Sequence, residues 1–308
     1  MYDLIIIGGG PAGVSAGVYA ARKQLKTLLV TAEWGGQSTV SVEIQNWIGT
    51  PAIAGSKLAS DLKNHLEAYA GDVVTIVPGR TAANVQKLED GTFAVTLDDG
   101  ALHTAKALLI ASGSSRRRLD VPGADAFEHK GVTYCASCDG PIFAGQDVAV
   151  IGGGNAGFET AAQLLAYAKS VTLLHRGDSF KADAITIEKV LAHPNMKAFT
   201  NVKPKAVLAE KFVNGLEYTT ADGSTHTLPV TGIFVEIGMI PNTEYAKDVV
   251  ALDAYGRIEI DPWTQKTATA GVWAAGDCTN VKYHQNNISA GDAVKALEDI
   301  YVTLKTRS

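Results

Sequence analysis

The sequence is poor in cysteine, carries no surplus of positive charge and contains no long apolar run. Three cysteines in 308 residues are too few for a disulphide-rich scaffold. Acidic residues (32) outnumber Lys and Arg (27), so the net charge of -5 gives no basic surface for nucleic acid or acidic membranes. No segment approaches the roughly 20 apolar residues of a membrane span.

The N-terminal residues lack the features of a secretory signal. Met1 to Leu4 contain no basic segment, and the apolar stretch Leu4 to Ile7 has only the length of a strand. Hydrophobic residues make up 46% and charged residues 19%, which is typical of a globular protein, and the length favours two domains. We therefore expect a soluble cytoplasmic protein with no nucleic-acid or membrane partner.

A glycine-rich turn opens the chain. Leu4 to Ile7 predicts a buried parallel strand, and the pattern of small and apolar residues after Gly13 predicts a helix. In a Gly-x-Gly-x-x-Gly turn at this position, Gly8 allows the tight turn and Gly10 lets a pyrophosphate approach the backbone. Gly13 lets the helix pack closely on the strand, with the helix N-terminus facing the phosphates. The stretch therefore predicts a dinucleotide site.

The same pattern recurs after residue 148, and the internal repeat is stronger evidence than either copy alone. An apolar strand, 148–151, leads into Gly152-Gly153-Gly154-Asn155-Ala156-Gly157 and a second helix. The next strand, 171–174, ends at His175-Arg176 rather than at a carboxylate. Because arginine binds a ribose 2′-phosphate and a carboxylate repels it, this site favours NADPH over NADH. The alternative is a solvated basic loop.

Two thiols stand between the two glycine motifs, in Cys135-Ala136-Ser137-Cys138-Asp139. Such a pair can form a small-loop redox disulphide, half of a zinc site or a structural pair. The remaining cysteine, Cys278, and the absence of a His-x-x-x-His pattern offer little for zinc, so no metal is predicted. A dithiol beside two dinucleotide sites indicates electron transfer. Cys278 follows an apolar strand and is expected to be buried.

Taken in order, these motifs resemble those of the low-molecular-weight thioredoxin reductases, a family that includes the flavoprotein core of alkyl hydroperoxide reductase. The resemblance covers nearly the whole chain. It implies an α/β fold of two Rossmann-like, three-layer ββα domains, one inserted in the other. Residues 1–116 and 245–308 would bind FAD, residues 117–244 would bind NAD(P)H and carry the dithiol, and the links at 116–123 and 238–243 would act as hinges. The resemblance also implies a homodimer.

The resemblance assigns roles to individual residues. Cys138 would lie nearer the flavin, Cys135 would attack the disulphide of a partner protein, and Asp139 would donate and accept the proton. The FAD contacts would be Gly8, Gly10, Pro11, Ala12, Gly13, Gly36, Gln37, Asn46, Ala111, Gly113, Asp277 and Gln285. The NADPH contacts would be Gly152, Gly154, Asn155, Ala156, Gly157, Glu159, His175, Arg176 and Lys181.

Three departures from the family pattern leave the donor and the partner open. Gly177 and Lys181 stand where the family has arginines, and His284-Gln285-Asn286 replaces Arg-Gln-Ala. We expect an NADPH-dependent FAD disulphide reductase acting on thioredoxin or a thioredoxin-like protein. Because these residues contain no thioredoxin-like domain, we expect that carrier to be a separate protein. Alternatives are an NADH-preferring reductase of a glutaredoxin-like or peroxiredoxin-linked carrier, a ferredoxin-dependent reductase, a dithiol oxidase, or a non-enzymatic redox sensor.

Overall fold

A computed structural model describes residues 1–41 and 43–306 of the chain. The chain forms two compact units. The first unit consists of residues 1–115 and 240–308, and the second of residues 116–239. The sequence pattern places the two boundaries after residues 116 and 244.

Strands and helices alternate through most of the described chain. The strands are β1 (Tyr2–Ile7), β2 (Thr27–Thr31), β3 (Val74–Pro78), β4 (Ala82–Lys87), β5 (Phe93–Leu97), β6 (Leu102–Ile110), β7 (Ser114–Arg116), β8 (Val132–Thr133), β9 (Asp147–Ile151), β10 (Ser170–Leu174), β11 (Met196–Phe199), β12 (Lys203–Ala209), β13 (Val213–Thr219), β14 (Thr225–Leu228), β15 (Gly232–Val235), β16 (Met239–Pro241) and β17 (Val272–Ala274). The α-helices are α1 (Pro11–Arg22), α2 (Gly55–Ala70), α3 (Ala136–Asp139), α4 (Asn155–Leu164), α5 (Ala184–Leu191) and α6 (Asn286–Thr306). None of the helices in the described residues is long and apolar enough to cross a membrane.

The first unit is built on one sheet in the order β3-β2-β1-β6-β5-β4, with β17 also paired to β6. The strands β3, β2, β1, β6 and β17 are parallel, whereas β4 and β5 form an antiparallel meander with β6. Alternate residues of β1 enter two different cores: Leu4 and Ile6 pack with α1, α2 and α6, and Ile5 and Ile7 pack with the meander side. Burial on both faces explains why β1 is apolar at consecutive positions.

The sequence pattern predicts two separate strands at 102–105 and 107–111, but the structure has one continuous strand, β6. Lys106 interrupts the apolar run, but the backbone continues through it, and its ammonium lies 2.7 Å from the Asp3 carboxylate. The first half of β6 pairs with β5 and the second half with β17. The change of partner, rather than a break in the chain, produces the change in sequence pattern.

The second unit repeats this plan with a parallel sheet in the order β11-β10-β9-β15-β8 and an antiparallel meander, β12-β13-β14. Its two cores lie on opposite faces of β9, with Ala149 and Ile151 on one face and Val148 and Val150 on the other. The β9-α4-β10 segment corresponds to β1-α1-β2. Each unit therefore has the Rossmann-like three-layer plan predicted from the sequence.

The strands β15 and β17 and the helix α6 show how the observed elements differ in extent from the sequence-based expectation. The apolar run predicts β15 over 232–238, but the strand ends at Val235, because its partner β9 ends at Ile151 where the glycine turn begins. Strand β17, expected over 271–277, ends at Ala274 opposite the last residue of β6 for the same reason. Helix α6, expected over 290–304, begins four residues earlier, at Asn286.

Candidate active site

The first glycine turn joins β1 to α1 and has the close contacts that require glycine. A Cβ at Gly8 would lie 2.1 Å from the Ala111 carbonyl oxygen, and a Cβ at Gly13 would lie 1.9 Å from the Gly8 carbonyl oxygen. In contrast, the nearest atom to a Cβ at Gly10 is 4.0 Å away. Gly10 is the N-cap of α1 and no side chain of the described residues caps that end. The turn thus holds helix and strand together and leaves space in front of the helix N-terminus.

The second glycine turn, between β9 and α4, has the same geometry. A Cβ at Gly152 would lie 2.1 Å from the Glu236 carbonyl oxygen, and one at Gly157 would lie 2.0 Å from the Gly152 carbonyl oxygen. Around Gly154, the N-cap of α4, no atom of the described residues comes within 4 Å of a Cβ. Both turns therefore fit a dinucleotide whose phosphates meet bare backbone at a helix N-terminus.

The two units also repeat the loop that follows the second strand. In the first unit Gly35 N donates to the Gly9 carbonyl at 2.9 Å, and in the second unit Lys181 N donates to the Gly153 carbonyl at 2.7 Å. Lys181 is thereby held beside Gly154. This contact explains how a residue six positions beyond His175 reaches the glycine motif.

The other candidate flavin residues of the first unit lie against its glycine turn or form hydrogen bonds to other segments of the same unit. Gly36 lies against Gly10, and Gly276, which precedes Asp277, packs near Ala12. Gln37 donates from its amide to the Ser114 carbonyl, and Asn242 N donates to the Gly113 carbonyl at 3.0 Å. Pro11 occupies the first turn of α1. The Asp277 carboxylate accepts a hydrogen bond from Ser289 Oγ at 3.3 Å.

The start of α6 is joined to the loop around Asn46 by amide side chains. Asn46 Nδ2 donates to Gln285 Oε1 at 3.1 Å, and Asn287 Nδ2 donates to the Asn46 carbonyl at 2.7 Å. Ser38 Oγ donates to Asn286 Oδ1 at 2.8 Å. These contacts explain the early start of α6, because the amide side chains bond outside the helix instead of competing with its backbone. The Nε2 atom of His284 is buried without a partner among the described residues.

The segment after β10 is basic and contains a buried nitrogen that lacks a hydrogen-bond partner among the described residues. Arg176 and Lys181 are exposed and form no ion pair with any described residue. His175 packs beside Gly153, and its Nε2 atom is buried without a hydrogen-bond partner in the described part of the chain. A Cβ at Gly177 would lie 2.7 Å from that same Nε2 atom. The free cations and the orphaned nitrogen fit an anionic ligand at this edge of the sheet.

The two thiols of the central motif form a disulphide around the short helix α3. Cys135 is the N-cap, and its sulphur accepts a hydrogen bond from Cys138 N at 3.2 Å. Asp139 N donates to the Cys135 carbonyl at 3.0 Å, and the Asp139 carboxylate accepts a hydrogen bond from Thr133 Oγ1. Ser137 donates to Gln163 of α4, which fixes α3 against the helix of the nucleotide motif.

A largely buried carboxyl group that the sequence did not single out lies beside the second glycine turn. Glu236 follows β15, and its carboxyl accepts a hydrogen bond from Thr160 of α4 at 2.7 Å. The pKa of Glu236 is raised from 4.5 to about 7, chiefly by burial and to a smaller extent by the neighbouring Glu159, while the hydrogen bond from Thr160 and the charge of Arg116 oppose the shift. The sequence pattern makes Glu236 part of a buried strand, although a carboxylate in an apolar strand is itself a signal.

A model of the pyridine nucleotide-disulphide oxidoreductases matches residues 2–293. The chain belongs to that family. It is 40% identical to an alkyl hydroperoxide reductase subunit of Escherichia coli and 37% identical to a NADH dehydrogenase of Bacillus subtilis, each over 96% of this chain. It spans only 57% of the length of those two relatives. The crystal structure of thioredoxin reductase from Streptococcus pyogenes superimposes with a TM-score of 0.90 at 32% identity, covering 99% of both chains.

These similarities confirm the predicted family and its Rossmann-like fold. Membership implies an oxidoreductase that uses a flavin and a pyridine nucleotide, without deciding between NADH and NADPH. The Cys135–Cys138 disulphide agrees with the redox interpretation of the motif. The binding and catalytic roles of individual residues stay predictions. Cys278 is buried as predicted, and burial raises the pKa of its thiol to about 11, so it stays protonated near neutral pH.

The raised pKa of Glu236 predicts a stability that falls with rising pH. Because the folded-state pKa of about 7 exceeds the ordinary 4.5, the folded chain holds this proton more tightly than the unfolded chain. The contribution is complete below about pH 4.5 and is lost as pH rises to about 7, on the order of 3 kcal/mol in all. We expect Glu236→Gln, which keeps the acceptor for Thr160, to remove this pH dependence.

Chemical denaturation of wild type and Glu236→Gln at several pH values measures the effect. As pH rises, the unfolding free energy of Glu236→Gln should increase relative to that of the wild type. Replacement of the exposed Glu210 by Gln is the matched control and should show no such change. Equal pH profiles for wild type and Glu236→Gln would contradict the prediction.

Proposed function

We propose that this protein is an NADPH-dependent disulphide reductase that passes electrons through FAD and the Cys135–Cys138 pair to the disulphide of a thioredoxin-like protein. One observation carries the proposal: an intramolecular disulphide adjoins a carboxylate in the unit that holds a complete dinucleotide-type turn. The similarity to thioredoxin reductase from Streptococcus pyogenes over the full length of both chains supports the same function.

The residues at the two glycine turns fit the two nucleotides. The turn at Gly10, together with Gln37, Asn46 and Asp277, would hold FAD, and the turn at Gly154, together with Arg176, would hold the reduced pyridine nucleotide. When bound, the reduced nucleotide would supply a hydride, and the flavin would supply the chemistry to accept it and to pass an electron pair to a disulphide. The backbone N–H groups at each helix N-terminus would offset part of the phosphate charge.

The geometry around α3 supports different roles for the two thiols. In the reduced protein a thiolate on Cys135 would keep the hydrogen bond from Cys138 N, and such a bond favours the charged form. Cys135 is therefore suited to attack the disulphide of the carrier. Cys138 would then displace the carrier from Cys135 and re-form the internal disulphide. Asp139, directly after Cys138, would accept the proton of the attacking thiol and return it to the leaving thiolate.

The test of this function is reduction of a carrier at the expense of NADPH. Purified full-length protein is mixed with NADPH and oxidised thioredoxin, and the new thiols are counted. Formation of two carrier thiols for each NADPH oxidised is expected. NADPH oxidation without any carrier thiol, with oxygen as the sole electron acceptor, would contradict the proposal and favour a different oxidoreductase.

A second candidate is an NADH-linked reductase of a peroxiredoxin-type system. Gly177, in place of the usual second arginine, removes one phosphate-binding cation from the end of β10. The similarity to the alkyl hydroperoxide reductase of Escherichia coli and to the NADH dehydrogenase of Bacillus subtilis supports this candidate. The carrier assay repeated with NADH and a peroxiredoxin separates the two. The predicted homodimer stays a prediction.

Gly177→Arg is expected to shift the donor preference toward NADPH by about 10-fold in kcat/KM, because one charge-assisted hydrogen bond to the 2′-phosphate is added. The new Cβ would lie 2.7 Å from His175 Nε2, so the imidazole must move slightly. Gly177→Ala makes the same steric change without the charge and is the matched control. An unchanged NADPH-to-NADH ratio in Gly177→Arg would show that residue 177 does not face the 2′ position.

A further inference from the structure

Thr133 contacts both the first cysteine of the redox disulphide and the carboxylate that follows the second. It is the last residue of β8, is 4% exposed, and is opposite Phe234 of β15 in the parallel ladder. Its hydroxyl donates to Asp139 Oδ2 and lies 3.5 Å from the backbone N–H of Cys135, which points at it. One buried hydroxyl thus touches both ends of the Cys135–Asp139 segment.

The side chain of Thr133 is fixed before the chemistry begins. A β-branched residue in a strand has few rotamers, and burial beneath α3 restricts it further. A hydroxyl has one proton to donate, and here that proton is committed to Asp139 Oδ2. The other carboxylate oxygen, Oδ1, accepts no hydrogen bond from the described residues. The arrangement therefore fixes the orientation of the Asp139 carboxylate, with one oxygen occupied and the other free to accept a hydrogen bond.

We propose that Thr133 is a positioning residue for thiol–disulphide exchange, holding Asp139 so that Oδ1 accepts the proton of the attacking thiol and returns it to the leaving thiolate. The inference rests on the proposed function for its biological setting, although the exchange chemistry can be tested apart from it. No sequence motif marks Thr133, because its neighbours in β8 are set by pairing with β15, about a hundred residues away.

The exchange balances in atoms and electrons. Asp139 Oδ1 takes the proton of the Cys135 thiol, and the sulphur attacks one sulphur of the partner disulphide. That disulphide bond breaks, and the leaving thiolate takes the proton from Asp139. In the second half, the Cys138 thiol gives its proton to Asp139 and attacks Cys135 Sγ. The Cys135–partner bond breaks, the second leaving thiolate takes the proton from Asp139, and the internal dithiol is oxidised to the disulphide as the partner disulphide is reduced to two thiols.

Few other titratable groups are close enough to mimic this role. Tyr167, whose hydroxyl donates to the Ala136 carbonyl of α3 at 3.4 Å, and Tyr134, next to Thr133 in the chain, both have pKa values raised by burial. Both therefore stay protonated from acid to mildly alkaline pH. In the described residues Asp139 forms no ion pair with a lysine, arginine or histidine. A pH effect on exchange would thus arise within the disulphide motif and not from Tyr134 or Tyr167.

The test compares Thr133→Val, which keeps the shape and removes the hydroxyl, with Thr133→Ser, which keeps the hydroxyl. Full-length protein is reduced with dithiothreitol, desalted without oxygen and mixed with hydroxyethyl disulphide, and re-formation of the internal disulphide is followed by mass spectrometry after an acid quench. We expect Thr133→Val to react about 10-fold more slowly near pH 6.5 and within about twofold of wild type near pH 9, where thiols ionise without a base. Thr133→Ser should stay within about twofold of wild type at both.

Equal slowing of Thr133→Val at both pH values would mean a structural role only, and no slowing at either would remove Thr133 from the exchange. Thr133→Ala replaces the valine variant if that variant does not melt cooperatively. Asp139→Asn shows how much the exchange rate falls when the carboxylate is absent. Near pH 6.5 this fall should equal or exceed that of Thr133→Val. If the wild type reacts with hydroxyethyl disulphide but never reduces a carrier with NADPH, the proposed function fails while the role of Thr133 stands.

Discussion

Cys138→Ser is expected to reduce thioredoxin at least about 10³-fold more slowly than wild type with NADPH present, because the internal disulphide can no longer form. Cys135→Ser is expected to lose carrier reduction to the same extent. Neither substitution touches the glycine turns, so both variants should retain their flavin and bind NADPH normally. Carrier thiols and bound flavin are measured on the same preparations.

The two variants differ in the reactivity of the thiol that remains. Cys135, free in Cys138→Ser, keeps the backbone N–H of residue 138 as a donor to its sulphur. We therefore expect the reduced Cys138→Ser protein to react with dithiobis(nitrobenzoate) at least about 10-fold faster than reduced Cys135→Ser. The reverse order would assign the attack on the carrier to Cys138 and contradict the roles argued above.

Gly154→Ala is expected to weaken NADPH binding by at least about 10-fold while the protein folds normally. The backbone at Gly154 is extended and suits alanine, and no protein atom of the described chain lies within 4 Å of the new Cβ. The methyl group would therefore occupy the space that a pyrophosphate needs in front of α4. Titration of the variant with NADPH, followed calorimetrically, measures the loss.

Gly157→Ala is the contrasting variant, because its Cβ would lie 2.0 Å from the Gly152 carbonyl oxygen. We expect this variant to lose folding stability as well as NADPH binding, since helix and strand must separate. Flavin content should be unchanged in Gly154→Ala, whereas the equivalent change in the first unit, Gly10→Ala, should lower it. Wild-type NADPH affinity in Gly154→Ala would place the nucleotide elsewhere.

Features that depend on local sequence were predictable. Each glycine turn is specified by a short run of residues whose spacing reflects contacts within the turn itself, as the Gly8–Gly13 and Gly152–Gly157 contacts illustrate. The dithiol and its carboxylate are likewise adjacent in the chain. The repeat of strand, turn and helix then predicted two similar units, which the fold confirms.

Features that depend on long-range pairing were not predictable. Thr133 belongs to a two-residue strand with no periodicity. Glu236 lies just outside β15, because the partner strand of β15, β9, ends opposite Val235. The early start of α6 depends on amide contacts to a loop some 240 residues away in the chain. The sequence pattern does not predict β11, because its alternation is too short to identify without its partner strand β10.

The most direct test of the central claim is an anaerobic titration with NADPH of wild type and of a variant in which both Cys135 and Cys138 are serine. The claim is that electrons from the nucleotide reach this disulphide through the flavin. Wild type should consume two equivalents of NADPH per flavin before full bleaching and gain two thiols, whereas the double variant should consume one and gain none. Equal consumption by the two proteins, with the wild-type disulphide intact, would contradict the account.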